Sequence, residues 1–113
     1  MDNKLKEVAE LLIKGEKCYI DNATNQVYTD GNLGENTNVI EIKAPNSTQS
    51  FKMMEAFANS IEDFEQQSEL YEALQYEQPF ANFRQKVFQL RIHENWNKYR
   101  LEKLVEFIAD QMK

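Results

Sequence analysis

The chain has 113 residues, 42% hydrophobic and 12% aromatic, with 19 acidic against 13 basic side chains and a net charge of −6. Such a length suits one globular domain, residues 1–113, burying roughly two-thirds of its unfolded surface, and the composition excludes disorder. The lone cysteine, Cys18, excludes an intramolecular disulfide, and no apolar run exceeds three residues (as at Leu11-Leu12-Ile13), which excludes a signal core or spanning helix.

In chain order, Leu5, Val8, Leu11 and Leu12 recur at helical spacing, and Gly15 suits the position just past a helix end, so a first helix is predicted at about 4–14. Lys17 to Asp21 reads as a short strand. Asp21-Asn22-Ala23-Thr24-Asn25 is turn chemistry, because Asx and Thr side chains bond nearby backbone. Gln26-Val27-Tyr28-Thr29 then returns as the second arm of a hairpin. Asp30-Gly31, with Asn32, Gly34, Glu35 and Asn36, is the clearest loop. Asn38 to Ile42 forms a third strand, ended by Ala44-Pro45.

After Pro45 the period changes. Asn46 or Ser47 can cap a helix at about 47–60, whose stripe is Phe51, Met54, Ala58 and Ile61, widened by Met53 and Phe57. Ser60 to Asp63 reads as a break and a new cap. A third helix at about 64–76 turns Leu70, Ala73 and Leu74 inward. Pro79 fits the first position of a fourth helix, which carries Phe80, Phe83, Val87 and Leu90 to about 90. A last helix from about 94 to 111 carries Trp96, Tyr99, Leu101, Leu104, Val105 and Ile108. The expected class is therefore α+β: an N-terminal helix, a small three-stranded antiparallel sheet, then about four C-terminal helices packed on one face.

The spacing Tyr19-Ile20-Asp21-x-x-Thr24-x-x-Val27, then Ile40-Glu41-Ile42-x-x-Pro45-x-Ser47, then Phe51-x-x-Met54-x-x-Phe57-Ala58, resembles an uncharacterised bacterial protein family, number 0158 of the uncharacterised-family series. Leu70-x-x-Ala73-Leu74, Pro79-Phe80-x-x-Phe83 and Trp96-x-x-Tyr99 extend that resemblance over about Tyr19 to Leu104. It implies a bacterial, cytoplasmic protein and transfers no activity. Two departures stand out. Asn25 replaces a glycine often found in the hairpin turn, and the connection before Pro79 lacks the expected glycines. Asn is the next best residue for positive φ.

Catalytic chemistry is hard to place. The one candidate nucleophile–base pair, Cys18 with His93, sets a strand cysteine against a histidine expected to be exposed, and a strand cysteine ordinarily acts as a small buried hydrophobe. One His and one Cys, 75 residues apart, make no zinc site. Asp21, Asp30 and Glu41 are the carboxylates considered for a hard cation, but they lack the spacing of a calcium loop. Glu62, Asp63, Glu65, Glu69 and Glu72 cluster at a helix junction, where acids complement the helix dipole. Glycine-dependent phosphate loops are absent. No catalytic, cofactor or metal residue is assigned, and the protein is expected to be no enzyme.

The charge is uneven. Residues 1–78 hold 6 basic and 15 acidic side chains, whereas residues 79–113 hold 7 basic and 4 acidic. The candidate partner surface is accordingly Arg84, Arg91, Trp96, Lys98, Tyr99, Arg100 and Lys103, in the mildly basic C-terminal helices. The favoured reading is a non-enzymatic cytoplasmic protein-binding or adaptor/regulatory domain, meeting another protein or its own copy as a homodimer. An apolar remainder among Phe80, Phe88, Trp96 and Phe107 would mark that interface. The alternatives are a binder of single-stranded RNA or DNA, since cations interleaved with rings suit phosphates and bases, and a carboxylate/metal-dependent enzyme using Asp21 and Glu41. A pI near 4.8 weighs against nucleic acid. No membrane association is expected.

Overall fold

Turn and cap chemistry sets where each element begins and ends. The computed structural model describes residues 3–21, 23–35 and 38–112. Asn22 and Asn36, expected in turns, lie outside the described residues. The elements are α1 (Asn3–Ile13), β1 (Cys18–Asp21), β2 (Val27–Thr29), β3 (Val39–Ile42), α2 (Ser47–Ser60), α3 (Phe64–Gln75), α4 (Pro79–Gln89) and α5 (His93–Gln111). One helix, three antiparallel strands and four helices is the α+β order that the sequence predicts. Their contacts divide the chain into two compact units, residues 1–44 with 101–113, and residues 45–100.

In the first unit, α1 stops at Gly15 for a stereochemical reason. Gly15 N–H donates to Leu12 O at 3.0 Å and Glu16 N–H to Leu11 O at 3.1 Å, the paired bonds of a Schellman cap. That cap needs φ > 0, and Gly15 sits at φ 87°. The hairpin turn is built by Asp21, whose Oδ1 accepts from Ala23 N–H at 2.8 Å and Thr24 N–H at 3.3 Å. Asn25 holds φ 59° there, so Asn does supply the positive φ that a glycine would otherwise give. The sheet order is β2-β1-β3, with Tyr19 opposite Tyr28 on one side and Glu41 on the other. The strand period of two buries Cys18 and Ile20, and Ile42 opposite Cys18. Val8, Ala9, Leu12, Leu104 and Ile108 are the unit's other buried residues. Past the end of edge strand β3, Gln111 behaves like a short strand. Its Oε1 accepts from Lys43 N–H at 2.9 Å and its Nε2 donates to Lys43 O at 2.8 Å.

In the second unit, a capping box starts α2: Asn46 Oδ1 accepts from Gln49 N–H at 2.8 Å, and Gln49 Oε1 accepts from Asn46 N–H at 2.9 Å. The far end of α2 has neither glycine nor a basic side chain. Its last carbonyls instead receive the Ser60 hydroxyl (2.6 Å, Phe57 O) and the Gln67 amide (3.0 Å, Ala58 O). Tyr71 donates to Asn59 Oδ1 across the same corner. Asp63 caps α3 through Gln66 N–H at 3.0 Å. Gln78, before Pro79, adopts φ 58°, so the expected glycine is replaced by a strained residue. Side chains from four helices form the core: Met54, Phe57 and Ala58 of α2, Leu70 and Leu74 of α3, Phe83 and Val87 of α4, and Trp96 of α5. Phe51, Met53, Ile61, Phe80 and Leu90, all predicted inward, are half-buried against it.

Candidate functional site

The rings of α2, α4 and α5 fix the geometry of the predicted partner surface. Phe83 meets Trp96 edge-on at 5.0 Å, and Phe57 meets the same two rings at 6.2 and 5.2 Å. Each such contact contributes about 0.5–1.5 kcal/mol beyond area burial. Trp96 is thereby 3% exposed. This corrects its place among the surface candidates: its helical phase coincides with the core stripe, so it supports the surface from beneath. Tyr99 is half-buried, with its ring 5.3 Å from Phe57.

The cations separate into groups. Arg84 and Lys98 are exposed, while Arg100, one turn past Trp96, is half-buried. Burial first, and then the charge of Arg84, lower the Arg100 pKa below its ordinary value, so Arg84 lies within electrostatic reach. Arg91 is exposed at φ 62° and ends α4, where its N–H donates to Phe88 O at 3.1 Å and Ile92 N–H donates to Val87 O at 2.9 Å. That is a second Schellman cap, with arginine in the position glycine fills after α1. Lys103 belongs to the first unit and pairs with Glu106 at 3.3 Å.

Phe88, named in the sequence as part of a possible apolar remainder, forms on this surface a stacked pair with His93 that the sequence did not foretell. Phe88 is 66% exposed, and its ring lies on that of His93 at 4.3 Å and 19°. Contrary to expectation His93 is half-buried, and its Nδ1 is buried with no hydrogen-bond partner among the described residues. The available signal was phase. Phe88 follows inward-facing Val87 and so stands outside the stripe of Phe80, Phe83, Val87 and Leu90. Phe80 and Phe107 are half-buried.

The other candidates have local structural roles. Cys18 is fully buried in the first unit, and burial followed by the charges of Glu16 and Glu7 raises its thiol pKa, away from a nucleophilic thiolate. His93 belongs to the second unit. Asp21 holds the hairpin turn, and Asp30 accepts from Tyr19 Oη at 2.7 Å. That bond, then burial, then the charges of Asp30 and Glu41, push the Tyr19 hydroxyl up to about 12. Among the described residues no three His, Cys, Asp or Glu side chains gather as metal ligands. An open cleft of about 370 Å³ between α3 and α4 is lined by Glu69, Glu72, Tyr76 and Lys86. Its charges are engaged locally: Lys86 lies 3.7 Å from Glu69, and Tyr76 donates to Glu72 at 3.3 Å. Among the described residues no helix is long and apolar enough to cross a membrane.

No curated protein and no solved structure matches the chain. A family model described as "Uncharacterised protein family (UPF0158)" matches residues 11–113, wider at both ends than the motifs alone suggested. The chain therefore belongs to the uncharacterised protein family UPF0158.

Proposed function

We propose that this protein is a non-enzymatic cytoplasmic protein-binding domain with an adaptor or regulatory role, and that it engages its partner through the α4–α5 surface of the second unit. The observation that carries this reading is Phe88, two-thirds exposed and lying flat on His93 beside the α4 cap held by Arg91. A large ring left in water, ordered by a neighbour and flanked by arginines, has the composition of an interface anchor. Its support beneath is rigid, since Phe83 and Val87 on the same helix are buried. The test is affinity capture with the wild type and Phe88→Ala side by side. The expected result is a protein, or a second copy of this chain, retained by the wild type and lost with the variant. Retention of the same proteins by both, with an unchanged solution mass, would overturn the reading.

A further inference from the structure

Side-chain amides close the two edges of the sheet in the first unit, each in its own way. Asp21 N–H donates to Gln26 O at 3.0 Å, so Asp21 and Tyr19 turn their backbone groups toward β2, and Cys18 and Ile20 turn theirs toward β3. Their partners Ile42 and Ile40 point back at β1, which leaves the N–H and C=O of Val39, Glu41 and the following Lys43 on the outer edge. On the β2 side, Thr29 is closed by its own loop: its N–H donates to Asn32 Oδ1 at 2.6 Å, and its carbonyl accepts from Asn32 N–H at 3.1 Å. On the β3 side, Lys43 is closed by the Gln111 amide, at 2.9 and 2.8 Å, from 68 residues away. Among the described residues no further bond closes the outer side of Glu41. The Gln111 amide offers one acceptor and one donor, as a peptide group does. It occupies the place that an added strand would take.

The chemistry of the edge selects that strand. Glu41 and Lys43 are exposed and, two residues apart, project from one face of the sheet, while Ile42 between them is buried. A second β3 laid antiparallel with Ile42 opposite Ile42 brings each Glu41 opposite the other copy's Lys43. Residues whose backbone groups face outward then meet one another, so each such pair exchanges both backbone bonds and joins opposite charges. A register centred on Glu41 would instead set carboxylate against carboxylate. Pro45, with no N–H to donate, ends the ladder just beyond. We propose that the outer edge of β3 is a self-association site, where a second copy of this chain pairs antiparallel about Ile42 and displaces Gln111 from Lys43. The two sheets then run on as one. This site lies in the first unit and does not depend on the α4–α5 surface.

The experiment is sedimentation equilibrium on the full chain over about 0.01–1 mM, the range of weak transient contacts, with circular dichroism confirming that each variant is folded. Gln111→Ala is expected to form a dimer at least tenfold tighter than that of the wild type, because Lys43 is already free. Adding Glu41→Lys to that variant should weaken the dimer at least tenfold by setting lysine against lysine. Adding Lys43→Glu as well should restore it, since the pairs regain opposite charge. Glu55→Lys, an equal change of charge on the exposed side of α2, should leave the dimer of Gln111→Ala unchanged. A Gln111→Ala chain that stays monomeric throughout, its edge left to solvent or to a strand of another protein, would overturn the proposal. So would a dimer no tighter than the wild type's, one undiminished by Glu41→Lys, one that the double reversal does not restore, or one weakened equally by Glu55→Lys.

Discussion

Single residues carry much of what distinguishes this chain, and Tyr19 gives the simplest test. Its hydroxyl donates to Asp30 at 2.7 Å, and that bond holds the proton, raising the pKa to about 12. The folded value lies above the ordinary 10.0, so this contribution is fully present below pH 10 and is lost as pH rises toward 12. Ultraviolet titration should show one tyrosine ionising late, and Asp30→Ala should return it toward 10. Arg91 supplies a second test. Its left-handed backbone costs an L residue roughly 1–2 kcal/mol, part of which glycine recovers. Arg91→Gly should therefore raise unfolding stability by about 0.5–1 kcal/mol in urea titrations. At this scale the sequence was readable where residue chemistry is positional. Gly15 and Asn25 announce their positive φ, but Gln78 and Arg91 do not, because neither glutamine nor arginine favours the left-handed region and a following proline disfavours it further at Gln78.

At the scale of elements, local signals sufficed wherever a cap or a period was encoded nearby. Asn46 and Asp63 begin α2 and α3 where predicted, and the stripes of α3 and α4 point inward as their spacing requires. Contacts between distant residues were not legible. Nothing near residue 43 foretells that Gln111, 68 residues later, will complete the edge of β3 through two hydrogen bonds. The Gln67 amide over the end of α2 is hidden for the same reason. Gln111→Ala should accordingly lower stability by about 1–2 kcal/mol, the loss of two bonds left to solvent, read as a shifted urea midpoint with unchanged slope. The candidate surface was half legible for a related reason. Its basic residues could be read from charge, whereas Trp96 went inward with the core period and Phe88 emerged from being out of phase with it.

For the molecule as a whole, charge and aromatic content tell different stories that meet on the α4–α5 surface. The −6 total conceals an acidic residues 1–78 and a mildly basic residues 79–113. Within the second unit the cations divide again: Lys86 is paired with Glu69, whereas Arg84 and Arg100 have no carboxylate partner among the described residues. Phe88 lies one helical turn from Arg84, on the same side of α4. Recognition through an aromatic anchor beside arginines is the function we propose for this arrangement. Because Phe88 is 66% exposed, truncating it should change folding stability by less than about 0.5 kcal/mol while removing most of its contact area with a partner. The most direct measurement is a calorimetric titration of the captured partner, purified, into wild type and Phe88→Ala. The account predicts binding weaker by about 1–2 kcal/mol, roughly five- to thirtyfold, at an unchanged unfolding midpoint. Equal affinity for the two proteins would contradict it.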